Sequence, residues 1–134
     1  MFKLHERLAA DTVAIGKTKL CQVLLMQDRR FPWIILVPER PDIREIHQLS
    51  PADRSALIDE IAAAAAAMEK LHGTHKMNVA ALGNQVPQLH VHVIARFTSD
   101  PAWPSPVWGK GTPEPYAESE LQQIVKKLKT ALSL

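Results

Sequence analysis

The stretch QLHVHVI, residues 88–94, is the part of the sequence from which the rest is best interpreted. Apolar and polar residues alternate along it, and the polar ones are Gln88, His90 and His92. Because a β-strand directs alternate side chains to opposite faces, these three are predicted to lie in a row, roughly 6.6 Å apart. The apolar face is expected to pack on a core. Two imidazoles and an amide in one row exceed what packing requires, so the stretch is a candidate site.

Four interpretations of this row remain open from the residue pattern. The row could be a polar outer face without function. It could bind zinc or iron, which imidazole suits, if a third ligand came from Asp28, His47 or His75. It could supply a histidine nucleophile. It could also bind a nucleotide or phosphate without turnover.

The nucleophilic interpretation makes specific demands on both histidines. A neutral imidazole attacks through its unprotonated nitrogen, so its other nitrogen must be held as a donor, often by a backbone carbonyl. His92, if protonated, could stabilise a phosphate or protonate a leaving group. Asn78, Asn84 and Gln85 lie upstream and could bind phosphate or sugar oxygens through their amides.

Composition limits the possible classes of protein. The chain has 134 residues, 46% of them hydrophobic and 22% charged, which is typical of one globular domain with a sizeable core. The net charge of +2 is too small to predict nucleic-acid binding. We expect no secretory signal and no transmembrane helix, because no apolar run is long enough. Cys21 is the only cysteine, which excludes an internal disulfide and favours a cytoplasmic location and a buried thiol.

The periodicity of the chain predicts an α+β domain spanning 1–134. Its sheet is expected to be mostly antiparallel and five-stranded, with a central helix and a C-terminal helix. Ser50, Pro51 and Gly73 are typical helix boundaries. The predicted elements are a helix at 2–10, strands at 13–15 and 19–26 joined by a turn at 16–18, a buried strand at 31–37, helical turns at 43–49, a helix from 51 to 72, and strands at 76–82 and 88–97. The core is predicted at about 10–97, followed by a Pro- and Trp-rich segment at 98–116 and a helix at 117–132.

Residues 88–94 resemble the histidine triad signature, His-φ-His-φ-His-φ-φ, of the HIT superfamily, where φ is an apolar residue. The upstream loop with Asn78, Gly83, Asn84 and Gln85 also resembles the approach to that signature. The order of strands and helices matches across most of residues 10–97. The stretches 78–84 and 103–109 look like a bacterial HIT-like branch.

The resemblance implies a nucleotide hydrolase or transferase that acts at the α-phosphate of a nucleotide. The middle histidine of the triad, which corresponds to His90, would be the nucleophile and form a nucleotidyl-histidine intermediate. His92 would lie in the phosphate and leaving-group environment. The other matching positions would contact phosphate or ribose, and they are Asn78, Asn84, Gln85 and either Gln27 or Asp28. Relatives are often homodimers, and no cofactor, metal, membrane or nucleic acid is expected.

Gln88 departs from the signature, since it stands where the family has its first histidine. An amide donates and accepts hydrogen bonds but cannot titrate. The sequence therefore supports two functions: a hydrolase or transferase, or a nucleotide-binding module with little turnover. Trp103 and Trp108 are interpreted as packing or interface residues of an ordered flap, with stacking on a base as the alternative.

Overall fold

The computed structural model describes all 134 residues and shows an α+β fold. Its elements are α1 (Glu6–Asp11), β1 (Thr12–Lys17), β2 (Cys21–Met26), β3 (Trp33–Pro38), a 3-10 helix (Ile46–Gln48), α2 (Pro51–His72), β4 (Lys76–Ala80), β5 (Val91–Arg96) and α3 (Glu118–Leu132). This order confirms the predicted sequence of helices and strands. None of the helices combines the length and the apolar character that a membrane span requires.

The five strands form one antiparallel sheet in the order β1-β2-β3-β5-β4. Every residue of β3 and β5 is buried, as the nearly continuous apolar run of β3 predicts for a central strand. The register places Ile35 opposite His92 and Trp33 opposite Ile94. Side chains opposite each other in a ladder share a face, so His92 lies on the same face as Trp33 and Ile35.

Each face of the sheet has its own core. The face that carries Val91 and Val93 packs with Leu57 and Met68 of α2 and with Leu128 of α3. The opposite face packs under α1 and the segment 98–116, and its core consists of Leu8, Leu24, Phe31, Trp33, Ile35, Val37, Val86, Ile94, Ala102 and Val107. The two imidazoles are therefore on the face that the helices α2 and α3 leave open.

The boundaries of α2 follow from local chemistry. The Ser50 side chain accepts a hydrogen bond from the Asp53 backbone N–H, and Pro51 occupies the first turn, where its missing donor costs nothing. Gly73 ends the helix with φ +61°, a conformation that other residues adopt at a cost. The predicted start and end of this helix are both confirmed.

Several predicted boundaries are wrong. β5 begins at Val91 rather than 88, because the Leu89 backbone N–H donates to the Ile43 carbonyl, 2.9 Å away, instead of joining a ladder. Gln88 and His90 thus precede the strand. Gly16 lies within β1 beside a bulge, and the turn instead closes where the Thr18 backbone donates to Cys21.

Three shorter elements differ as well. α1 begins at Glu6 because the His5 side chain caps it by accepting from the Arg7 backbone N–H. The helical turns predicted at 43–49 reduce to one 3-10 turn, and β4 ends at Ala80.

The segment 98–116 has neither helix nor strand, as predicted, and is fixed by a buried ion pair. Arg96 and Asp100 lie 2.7 Å apart with side chains only 2% and 4% exposed. Arg96 also donates to the Ser105 carbonyl and the Asn78 side chain. The segment is therefore an ordered cover on the face that carries His92.

Candidate functional site

A pocket of about 460 Å³ lies on the face that α2 and α3 leave open. Four parts of the chain meet there: α1, the turn between β2 and β3, the loop around 82–86, and the segment 107–113. His90 and His92 form part of its wall, with ring centroids 4.9 Å apart. The imidazoles of the sequence motif are thus brought together in a concave site.

His90 is held in one tautomer by the backbone. Its Nδ1 lies 2.6 Å from the Gln88 carbonyl oxygen, which can only accept a hydrogen bond. Nδ1 must therefore carry the proton, which leaves the lone pair on Nε2. The ring is buried except for a 7% exposed fraction and lines the pocket. This is the arrangement that the nucleophilic interpretation requires.

His92 is held in the opposite tautomer. The indole Nε1–H of Trp33 donates to His92 Nδ1 over 3.0 Å, and an indole nitrogen cannot accept. The neutral ring therefore carries its proton on Nε2. Burial, reinforced by the neighbouring His90, lowers the pKa of His92 to about 3. The protonated His92 considered from the sequence is not formed near neutral pH, because its environment is dry and its Nδ1 faces a donor.

The two tryptophans of the covering segment have different surroundings. Trp108 lines the pocket, packs edge-on against His92 at 5.0 Å and against Trp33 at 5.8 Å, and remains 36% exposed. Trp103 packs instead against His75, at 5.1 Å, and under Arg96. Only Trp108 is placed where it could contact a molecule in the pocket.

Of the upstream amides, Asn84 and Gln85 line the pocket and are exposed. Asn78, on β4, does not line the pocket. Its Oδ1 instead accepts a hydrogen bond from Arg96, on the neighbouring strand β5, at 2.8 Å. Asn78 therefore supports the covering segment in this structure. The loop amides remain available to a bound molecule.

Asp28 lines the pocket, but both of its oxygens are already engaged. Arg30 donates to Oδ1 and Oδ2 at 2.9 and 2.8 Å, and the backbone of Arg30 and Glu114 also donates to Oδ1. Arg30 reaches in turn to the Lys110 carbonyl at 2.6 Å. Asp28 thus fixes Arg30 and the segment beside the pocket. Gln27 lies outside the pocket, with its Oε1 buried and unpartnered.

The Gln88 side chain turns away from the pocket towards the N-terminal residues. Its Oε1 accepts from the His5 backbone N–H at 2.8 Å, and its Nε2 donates to the Lys3 carbonyl at 2.9 Å. These residues lead into α1, which contributes Arg7 and Leu8 to the pocket wall. The predicted single row of three polar side chains is therefore wrong, because only His90 and His92 face the site.

The structure does not assemble the metal site considered from the sequence. No group of three His, Cys, Asp or Glu side chains is close enough to hold an ion. His47 is exposed on the 3-10 helix, and His75 packs on Trp103. Neither lines the pocket that contains His90 and His92.

Sequence reasoning missed Arg7, Arg30, Trp33 and Lys110, all of which line the pocket. Trp33 lies in a predicted buried strand, and no motif marks Arg7 in the first helix, Arg30 in the turn after β2 or Lys110 in the segment 98–116. The one available signal was the tryptophan within the apolar run of β3, since a buried indole N–H needs an acceptor.

Comparisons with known proteins agree with this geometry. The family model of the HIT domain matches residues 7–99. A histidine triad protein from Marinobacter aquaeolei is 53% identical, with a TM-score of 0.97 over 99% of this chain and 97% of that one. A histidine triad protein from Sinorhizobium meliloti is 49% identical, with a TM-score of 0.95 over 98% and 97% of the chains.

A histidine triad protein from Bradyrhizobium japonicum is 44% identical, with a TM-score of 0.95 over 98% of each chain. No curated protein matches the chain. The family model covers more than half of the residues, and three relatives exceed two-fifths identity over nearly full length. The chain therefore belongs to the histidine triad (HIT) family.

Proposed function

We propose that the chain is a nucleotide hydrolase or nucleotidyl transferase that acts at the α-phosphate of a nucleotidyl conjugate, with His90 as the nucleophile. One observation carries the proposal: the Gln88 carbonyl binds His90 Nδ1–H at 2.6 Å, which leaves Nε2 as the basic nitrogen in a pocket wall. Membership of the HIT family supports nucleotides as the class of ligand.

The reaction has two steps. The Nε2 lone pair of His90 attacks the α-phosphorus, the bond to the leaving group breaks, and the leaving group departs with its electron pair. The resulting nucleotidyl-imidazolium keeps its Nδ1–H on the Gln88 carbonyl, which stabilises the positive ring. Water or another acceptor then attacks phosphorus, the P–N bond breaks, and the released proton goes to solvent.

The remaining pocket groups suit a phosphorylated ligand. Arg7, Arg30 and Lys110 supply cations, and Asn84 and Gln85 supply amide donors. His92 can donate Nε2–H to a phosphate oxygen. Trp108 lines the pocket and is 36% exposed, so a base could stack on its ring. Asp28 orients Arg30 in this scheme rather than binding ribose itself.

The second candidate, suggested in the sequence by Gln88 in place of the first triad histidine, is a nucleotide-binding module with little turnover. In either case we propose a homodimer, as the resemblance implies, and a cytoplasmic location, which the single cysteine favours.

The test is AMP or GMP release from a panel of nucleotidyl conjugates by the native chain, His90→Ala and the control His47→Ala. His47 is an exposed histidine outside the pocket, so its variant should behave as native. We expect turnover that vanishes only in His90→Ala, together with a nucleotidyl adduct on the native protein quenched at alkaline pH. Persistent turnover without His90 would exclude it as nucleophile. Nucleotide-dependent thermal stabilisation without product in any variant would instead support the binding module.

A further inference from the structure

We propose that this site is selective for nucleotidyl conjugates whose leaving group departs as a stable anion, such as phosphoanhydrides, and discriminates against alkylamine and alcohol leaving groups. The inference rests on the proposed function and narrows its substrate class. It follows from the hydrogen bonds around the histidines, which leave no imidazolium or carboxylic acid beside His90 to protonate a departing group.

Trp33 removes His92 as an acid. Its indole Nε1–H points at His92 Nδ1 over 3.0 Å, and both groups are buried. A second proton on His92 would have to sit on Nδ1 and would face the indole donor directly. The only proton left is that on Nε2 of a neutral imidazole, which hydrogen-bonds but is far too weak an acid for proton transfer near neutral pH.

Gln88, at the triad position on the other side of His90, cannot act as an acid either. Its amide has no acidic proton, and its two polar ends are bound to the backbone of Lys3 and His5. The triad positions on both sides of the nucleophile therefore serve as hydrogen-bonding and structural groups.

The cationic side chains of the pocket favour a leaving group that departs as an anion. Arg30 is bound through its Nε and terminal nitrogens to Asp28 and the Lys110 carbonyl, and a guanidinium does not release its proton. Arg7 lies 3.6 Å from Asp11 at the partly exposed wall. Lys110 is the one pocket amine. These cations can stabilise negative charge that develops on a leaving oxygen.

The consequence concerns the first chemical step. When His90 Nε2 bonds to phosphorus, the bond to the leaving oxygen breaks and that oxygen takes both electrons. A phosphate or acidic phenol carries this charge as a stable anion. An alkylamine must gain a proton as it departs, and no imidazolium or carboxylic acid beside His90 supplies one.

The experiment compares conjugates that share AMP and differ only in the leaving group. The set contains phenyl esters of AMP with graded phenol acidity, ADP and ATP, and an AMP phosphoramidate of a simple alkylamine. We expect kcat/KM among the phenyl esters to fall about tenfold for each unit rise in phenol pKa, as for a leaving group that bears full charge. We expect the phosphoramidate to be at least a thousandfold slower than the 4-nitrophenyl ester.

Two variants test the cause. Trp33→Phe frees His92 Nδ1 and should flatten the dependence on phenol acidity, whereas the matched aromatic change Trp103→Phe should leave it unchanged. Lys110→Met should lower all rates without steepening the dependence. If Trp33→Phe does not fold, the native series and Lys110→Met still decide the question.

The outcomes separate this inference from the proposed function. Comparable rates for the phosphoramidate and the 4-nitrophenyl ester would overturn the selectivity while leaving His90 catalysis intact. A steep dependence that appears only in Lys110→Met would identify the lysine as an acid and would also overturn it. No turnover of any member, even the 4-nitrophenyl ester, would overturn both.

Discussion

Replacing Asp100 with asparagine should lower the free energy of unfolding by about 3–5 kcal/mol, the usual cost of leaving a buried charge unpaired. Asp100 is the anchor of the segment that covers the pocket. Its oxygens accept two hydrogen bonds from Arg96 at 2.7 and 3.0 Å and three from the backbone N–H groups of Phe97, Ala102 and Trp103. Asparagine has one side-chain oxygen where aspartate has two. In either orientation of the amide, its N–H₂ group would therefore face N–H donors that bind an aspartate oxygen in the native protein.

The lowered pKa of Asp100 indicates separately how much its hydrogen bonds stabilise the fold. Burial acts to raise its pKa, but Arg96 and the three backbone donors outweigh burial and lower the pKa to about 2. A group whose pKa is lower in the folded state contributes stability above its unfolded pKa and loses it on acidification. The difference between 3.8 and about 2 corresponds to about 2 kcal/mol, present above about pH 4 and lost as the pH falls to 2.

Urea unfolding at pH 7 and across pH 2–5 would check both statements. The matched control is Asp59→Asn, an exposed aspartate on α2, which should change stability by less than about 0.5 kcal/mol. Asp100→Asn should also flatten the native loss of stability between pH 4 and 2. A cost below about 1 kcal/mol at pH 7, with the acid slope unchanged, would refute the assignment of Asp100 as the anchor.

Three further perturbations have defined outcomes. The Gln88 side chain binds the backbone of Lys3 and His5 and does not face the pocket. Gln88→His should therefore leave AMP release no faster and lower the free energy of unfolding in urea by about 1–3 kcal/mol. A tenfold gain in kcat/KM would contradict this. Cys21 is fully buried, and burial raises the pKa of its thiol. A thiol reagent at pH 8 should therefore modify Cys21 only after the protein unfolds. Labelling kinetics with and without urea would show this. Gly73→Ala should cost about 1–2 kcal/mol by thermal or urea unfolding, because the added Cβ meets nothing within 4 Å and only the positive φ is penalised; no loss would contradict the left-handed helix end.

The elements that the sequence predicted well are those whose cause is local. Ser50, Pro51 and Gly73 fix α2 through contacts within a few residues of each end, and the apolar run of β3 alone identified a central strand. The start of β5 was misplaced because its cause is remote: Leu89 bonds to Ile43, a pairing that no periodicity reveals. Alternation therefore identified the motif but not the residue at which pairing begins.

The same distinction applies to the candidate site. His90 and its carbonyl partner Gln88 are two residues apart, so the sequence allowed the prediction that a backbone carbonyl holds His90 in the required tautomer. Trp33 and His92 are separated by 59 positions and meet only because β3 and β5 are neighbours in the sheet. The ion pair of Asp28 with Arg30 is an exception, because it is local in the sequence but no motif shows that the Asp28 carboxylate is occupied by Arg30 and not free to bind ribose.

Two imidazoles on one motif thus acquire different chemistry from one hydrogen-bond partner each. A carbonyl beside His90 Nδ1 places the free lone pair on Nε2, whereas an indole N–H beside His92 Nδ1 places the proton on Nε2. If the partners were exchanged, His90 would present a donor to the phosphorus and could not attack it. The proposed division into nucleophile and hydrogen-bond donor therefore depends less on the order of the histidines than on what β3 and the residues before β5 place against their Nδ1 atoms. The proposed reaction therefore depends on Trp33 as much as on either histidine.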